Sequence, residues 1–138
     1  MCAVDWLLTF QDPENPEFSL VFEDDGYVAY AYFRENEEIS GLVWLYNGPK
    51  VDLREKEREE DPGLPPGMPR ENVKEPSFVP VLNEEDIEVD WVSHGDRRDA
   101  VVYIRSYIHA VVSNGEYPGA CRIALRDSEW ASAWDIKV

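Results

Sequence analysis

The chain has 138 residues, of which 43% are hydrophobic and 30% charged, so it can bury the core of one domain. Its formal net charge of −16 argues against nucleic acid and anionic membrane as partners, because both attract positive protein surfaces. The same charge favours basic partners, and an aromatic content of 12% favours β-strands.

The first half of the chain predicts short strands separated by turns. Residues 4–10 are an apolar strand that ends at the proline-containing turn of residues 12–16. Residues 17–23 alternate apolar and polar side chains, which is the period of a half-buried strand, and the Asp-Gly pair that follows favours a hairpin. Two further strands complete a three-stranded meander, at residues 27–34 and 39–46.

Residues 48–80 differ from the rest in composition. They contain seven of the ten prolines, which excludes long regular elements, and we interpret them as a long charged surface loop. The charged run at residues 54–61 predicts one or two helical turns. Part of the loop is expected to pack on the body through its apolar side chains, which are Leu64, Met68, Val73, Phe78 and Val79.

Strand alternation resumes at residue 86, and two final strands are predicted at residues 119–126 and 130–137. Residues 99–114 admit two interpretations. The spacing of Val101, Ile104 and Ile108 suits a helix, whereas the many β-branched side chains favour a hairpin that turns near Ser106 and Tyr107.

An internal sequence repeat favours the hairpin. Phe18, Leu20 and Phe22 match Ile87, Val89 and Trp91 at an offset of about 69 residues, and the later strands match at offsets of about 69 to 71. The second half therefore repeats the strand pattern of the first. We predict one all-β domain over residues 1–138 that also accommodates one short helix. Its strands form an antiparallel sandwich or a curved sheet built from two pseudo-repeated three-stranded meanders.

No catalytic or cofactor motif is found. His94 falls in a polar turn and His109 inside a strand, and neither has a nucleophile at a suitable spacing. The 29 acidic residues offer many carboxylate pairs but no specific metal-binding spacing. Cys2 and Cys121 do not form a disulfide framework, and a bond between them is not favoured. We expect no cofactor and no metal, and a non-enzymatic function is favoured over an enzymatic one.

The charge distribution indicates a binding function. Residues 1–47 carry ten Asp or Glu and one Arg, interleaved with aromatic side chains. Aromatic anchors beside carboxylates suit a basic protein partner, as in small bacterial immunity and antitoxin proteins that bind toxins. The predicted contact residues are Glu23, Asp24, Asp25, Tyr30, Tyr32, Glu35, Glu37 and Trp44.

Two other functions remain open at this point: a carboxylate-dependent hydrolase, and an accessory domain that docks through residues 48–80. The opening residues lack the basic segment of a signal peptide, and no apolar stretch approaches the length of a membrane span. We therefore expect a cytoplasmic protein that binds neither nucleic acid nor membrane.

Overall fold

The computed structural model describes residues 6–134 and arranges its strands in two sheets, which confirms the predicted all-β class. The first sheet is antiparallel and contains, in order, β1 (Trp6–Gln11), β2 (Phe18–Asp24), β3 (Val28–Glu35) and β4 (Glu38–Asn47). The second contains, in order, β5 (Ile87–His94), β6 (Arg97–Ile104), β7 (Tyr107–Ser113), β8 (Ala120–Cys121) and β9 (Ser132–Ala133).

The region that admitted either a helix or a hairpin is a hairpin. β6 and β7 pair in antiparallel register, with Ala100 opposite Val112. The turn between them lies at Arg105 and Ser106, whose φ angles are 51° and 70°. Positive φ at both central residues gives a turn whose twist matches that of the paired strands. The predicted hairpin is confirmed, with its turn one residue earlier than expected.

The predicted repeat is confirmed as well. β2, β3 and β4 follow one another in the first sheet in the same antiparallel order as β5, β6 and β7 in the second. Gly26 and Gly95 occupy equivalent turns and both have positive φ, 85° and 62°, which glycine adopts without a steric penalty. Each unit buries one face against the other, so the two meanders enclose a common core.

The predicted final strands are wrong in extent. β8 and β9 contain two residues each and are parallel to one another, and residues 135–137 lie outside the described part of the chain. The backbone here bonds the edge of β4 instead: the Gly119 amide donates to the Leu42 carbonyl at 2.7 Å, and the Trp44 amide to the Trp130 carbonyl at 2.7 Å. This segment therefore connects the two sheets along β4.

The core lies between the inner faces of the two sheets. The Phe33 ring meets the Trp91 ring edge-on, with centroids 5.7 Å apart. β4 and β7 approach so closely at Gly41 that a Cβ there would lie 2.6 Å from the Ser113 carbonyl oxygen. Large side chains that are fully buried come from both sheets and include Leu20, Phe22, Phe33, Leu45, Tyr46 and His109.

A buried ion pair also joins the two halves. Arg98 on β6 donates to both carboxylate oxygens of Asp12, in the turn after β1, at 2.8 and 3.0 Å. Asp12 is 1% exposed, and burial by itself would raise its pKa. Hydrogen bonds from Arg98 and from the backbone of Glu14 outweigh burial and lower the pKa of Asp12 to about 2.

Residues 48–80, called the excursion below, are folded onto the body. They contain α1 (Arg54–Glu60), which confirms the predicted helical turns, and short 3₁₀ turns at Val51–Leu53 and Arg70–Asn72; a third follows the excursion at Glu84–Asp86. Met68 is buried and Phe78 half-buried, as expected, whereas Val79 is 53% exposed and does not pack as predicted. Within residues 6–134, no helix has the length and apolar character that crossing a membrane requires.

Candidate functional site

The outer face of the first sheet carries two rows of side chains that run across the strands. In the first row Glu23 pairs with Tyr30, and Tyr30 with Trp44. In the second row Val21 pairs with Tyr32, and Tyr32 with Leu42. Because alternate residues of a strand share a face, the aromatic rows follow directly from the predicted alternation. These rows include four of the eight predicted contact residues.

The excursion and the C-terminal segment cover the first row. The Tyr30 hydroxyl donates to the Pro66 carbonyl at 2.9 Å, and its ring meets the Trp130 ring edge-on at 6.1 Å. Tyr30 is 1% exposed and Trp44 is fully buried. The two rings, both predicted as partner contacts, therefore lie in an internal layer beneath the excursion.

The second row remains accessible as the floor of a groove of about 620 Å³, called the outer groove below. Tyr32, Leu42 and Val21 are half-buried in this floor, and Ile39 is 51% exposed at its end. One wall is the proline-rich stretch of residues 62–65, and Trp130 also lines the groove. An accessible apolar floor between fixed walls is the general form of a recognition surface for an extended segment.

The charges that line the outer groove are balanced. Glu23 and Glu37 supply two carboxylates, and Arg34 and Arg58 supply two guanidinium groups. The Arg58 guanidinium donates from Nε to the Leu64 carbonyl at 2.8 Å, which fixes the proline-rich wall. The groove is therefore amphipathic, and its lining residues carry no excess of either charge.

Two of the predicted contact carboxylates have structural roles instead. Asp25 forms an ion pair with Arg54 of α1, and its other oxygen accepts the amides of Tyr27 and Val28 at 3.0 Å each. Arg54 is 2% exposed and its guanidinium stacks over the Tyr27 ring at 4.5 Å. Asp25 thus anchors the excursion to the β2–β3 turn, and its charge is neutralised within the chain.

Asp24 points to the inner side of the sheet, because it is adjacent to Glu23 in the strand. It is 4% exposed, and it accepts the Tyr46 hydroxyl at 2.5 Å and the Gly26 amide at 2.9 Å. It lines a separate cavity. Asp24 therefore does not line the outer groove.

The remaining predicted residues lie at the β3–β4 turn. Glu37 is exposed and lines the outer groove, whereas Glu35 is half-buried at the end of β3 and does not line it. The structure thus brings together Glu23, Tyr32 and Glu37 at one accessible site, with the edge of Tyr30 beneath them. Burial raises the pKa of Tyr32, and the charges of Glu23 and Asp25 raise it further, so its hydroxyl remains protonated.

Sequence reasoning missed the residues that complete the groove. Trp130 is separated from Tyr32 by almost a hundred residues, and the backbone bond from Trp44 to Trp130 places it here. Arg58 and the proline-rich wall belong to a segment whose composition predicted a surface loop without indicating where it docks. These placements depend on tertiary contacts that periodicity does not encode.

The two polar core side chains most often associated with catalysis are inaccessible. His109 is 1% exposed; its Nε2 lies 2.7 Å from the Leu45 carbonyl oxygen and 3.7 Å from the Cys121 sulfur. Burial lowers the pKa of His109 to about 4 and raises the pKa of the Cys121 thiol to about 12. A neutral imidazole beside a protonated thiol, both out of contact with solvent, is a packing arrangement and does not activate a nucleophile.

None of the protein-family models, curated proteins and solved structures compared with the chain matches it. The geometry described above is therefore the basis for a functional assignment.

Proposed function

We propose that this protein is a non-enzymatic binding protein whose outer groove receives an extended, apolar and basic segment of a protein partner. The observation that carries the proposal is the accessible row of Val21, Tyr32 and Leu42 on the outer face of the first sheet, in a chain of net charge −16. Apolar anchors of this kind supply binding energy, and the field of the whole chain selects the sign of the partner's charge.

The surroundings of the groove support a basic partner. Glu37 and Glu38 are exposed at the β3–β4 turn, beside Ile39. Glu60 and Asp61 are exposed immediately before the proline-rich wall. Carboxylates at a solvent-accessible rim contribute mainly to the rate of association and to its salt dependence. The mode of action resembles in kind that of acidic immunity and antitoxin proteins, with the protein acting in the cytoplasm.

The test is affinity capture from host extract with the full chain and two charge-matched variants. Ile39→Lys places a cation on the exposed end of the groove floor, and Leu125→Lys makes the same change at a side chain of similar exposure, 44%, that does not line the groove. We expect the unmodified chain and Leu125→Lys to retain the same basic protein. Ile39→Lys should weaken that interaction by about tenfold or more, because it removes an apolar contact and adds repulsion.

Purified partner then allows association rates to be measured as a function of salt. The rate for the unmodified chain should fall steeply as salt rises, since charge steering is screened over a Debye length. Equal retention by both lysine variants, or a captured partner without net positive charge, would contradict the proposal.

A further inference from the structure

The first sheet has an open edge at β1. This strand pairs with β2, and within the described residues 6–134 no backbone hydrogen bond connects its other side to another segment. The Asp12 amide donates to the Phe18 carbonyl at 3.1 Å, and hydrogen-bonded positions alternate along an antiparallel pair. The backbone amides and carbonyls of Leu7, Thr9 and Gln11 therefore point away from β2, towards the open edge.

The β1 edge has none of the features that usually protect an edge from pairing. Natural sheet edges are blunted by charged side chains, proline or bulges. β1 contains no charged residue, no proline and no shift in register with β2, and its Leu7 is 67% exposed. β5, the outer strand of the second sheet, instead carries the exposed carboxylates of Glu88 and Asp90. Of these two edges, β1 is therefore the one suited to pairing.

The sequence of β1 is compatible with pairing to a second copy of itself. In an antiparallel pair with its two-fold axis at Thr9, Thr9 faces Thr9 of the second copy, and Leu7 faces Gln11. The intervening pair joins Leu8 to Phe10, whose side chains are half-buried in each copy. Every pair is thus neutral, and the pair on the inner face is apolar on both sides. A basic strand would meet no carboxylate in β1, so charge favours the second copy over such a partner here.

We propose that the protein forms a two-fold dimer in which the β1 strands of two copies pair in antiparallel register over residues 7–11. Two sheets of four strands then become one continuous sheet. The pairing itself does not depend on the role assigned to the outer groove.

The dimer brings two outer grooves onto one surface. Thr9 is opposite Val21, and Val21 is opposite Tyr32, so the row that forms the groove floor continues across the two-fold axis. The two Tyr32 side chains are separated by five strand spacings, or about 24 Å at about 4.8 Å each. The dimer therefore places the two grooves in line on the same face.

The net charge gives this pairing a distinctive salt dependence. Two copies of net charge −16 repel one another, and added salt screens the repulsion. The dimer should therefore become tighter as the salt concentration rises, whereas association of a basic partner with the outer groove becomes slower. The sign of the salt effect distinguishes the two interactions.

The first test is sedimentation equilibrium of the full chain at two salt concentrations. We expect a monomer–dimer equilibrium with a dissociation constant below about 1 mM in about 0.15 M salt, and a smaller dissociation constant in about 0.5 M salt. A chain that is monomeric at about 1 mM in both solutions, or a dimer that dissociates as salt rises, would overturn the proposal.

Amide hydrogen exchange measured by NMR locates the contact. The amides of Leu7, Thr9 and Gln11 should become protected in proportion to the dimer fraction as the protein concentration rises. The amides of Val89 and Trp91 are the control, because the bond from the Arg105 amide to the Asp86 carbonyl fixes the alternation that points them away from β6. Protection that rises with concentration on β5 and not on β1 would show a different interface and reject the proposal.

Variants test the register. Thr9→Lys places two cations opposite one another at the two-fold axis and should raise the dissociation constant about tenfold. Val92→Lys makes the same charge change on β5, at a side chain that is 47% exposed, and should leave the dimer intact. Thr9→Pro removes an amide that points away from β2, so it should abolish the dimer while the β1–β2 ladder persists. If Thr9→Pro does not fold, the lysine pair decides, and equal dissociation constants for Thr9→Lys and Val92→Lys would refute the register.

The groove variant separates this proposal from the proposed function. Ile39→Lys lies on β4 and should dimerise as Val92→Lys does, although it loses the protein partner. Thr9→Lys should be largely monomeric and still retain that partner. Loss of the dimer in Ile39→Lys would place the contact between copies in the outer groove and overturn the assignment to β1.

Discussion

Acid sensitivity provides a direct test of the core geometry around His109. The imidazole is 1% exposed, packs against the Phe78 ring at 4.8 Å and hydrogen-bonds the Leu45 carbonyl through Nε2. Its Nδ1 has no hydrogen-bond partner within the described residues. Protonation would place a charge on that buried nitrogen, and burial accordingly lowers the pKa of His109 from 6.5 to about 4.

The direction of the pH effect follows from this shift. The unfolded chain takes up the proton near pH 6.5 and the folded chain only near pH 4, so the folded state is favoured above pH 6.5 and loses stability as the pH falls between these values. At about 1.4 kcal/mol per pH unit, the loss between about pH 7.5 and pH 4.5 is roughly 2.5 kcal/mol. Asp12 loses its own contribution only below its unfolded pKa of 3.8, so the two effects occupy different windows.

The assay is urea unfolding over this pH range for the unmodified chain, His109→Gln and His94→Gln. His109→Gln keeps a donor for the Leu45 carbonyl but cannot titrate, so its free energy of unfolding should depend far less on pH above pH 4.5. His94→Gln is the control, because His94 is exposed at the end of β5. The reasoning is refuted if His109→Gln retains the slope of the unmodified chain, or if His94→Gln loses it.

Two further predictions concern how the halves are joined. Arg98→Met leaves the Asp12 carboxylate buried without its cation, so it should lower the urea midpoint far more than Arg122→Met, whose ion pair with Glu75 is partly exposed. Equal effects would show that the buried pair does not join the sheets. Gly41→Ala places a Cβ 2.6 Å from a β7 carbonyl oxygen and should lower the free energy of unfolding by about 2 kcal/mol or more. Gly63→Ala, whose nearest neighbour is a side-chain oxygen at 3.4 Å, is the control and should change it by about 0.5 kcal/mol or less. A tolerated Gly41→Ala would mean that β4 and β7 do not approach this closely.

The fold was largely predictable because its signal is local. Alternation identified β2 and β5, and apolar or aromatic runs bounded by turns identified β3, β4, β6 and β7. The internal repeat decided between a helix and a hairpin for residues 99–114, where propensity alone was ambiguous. The C-terminal strands were overpredicted because apolar content there reflects packing against β4 and not strand pairing. A segment whose backbone bonds the edge of another sheet in isolated contacts has no periodic signature.

The site was only partly predictable, for a related reason. Alternation placed Tyr30 and Tyr32 on the same face correctly, but it does not specify which part of a face another segment covers. Tyr30 is beneath Pro66 and Trp130, while Tyr32 lines the open groove. Clustered acidic residues are equally ambiguous: of three consecutive carboxylates, one lines the groove, one is buried and one is an anchor for α1.

The excursion connects these observations to the repeat. The two meanders are equivalent in order and turn geometry, yet the first has a layer over its outer face because the excursion folds back onto it. The Tyr30 hydroxyl donates to the Pro66 carbonyl, and Asp25 forms an ion pair with Arg54. The Asn47 side chain hydrogen-bonds both the carbonyl and the amide of Met68. These three attachments hold the excursion against the first sheet and place its proline-rich stretch as a wall of the outer groove. The proposed binding site therefore depends on an insertion between two copies of one structural unit, which is consistent with binding residues residing in loops that a rigid sheet positions.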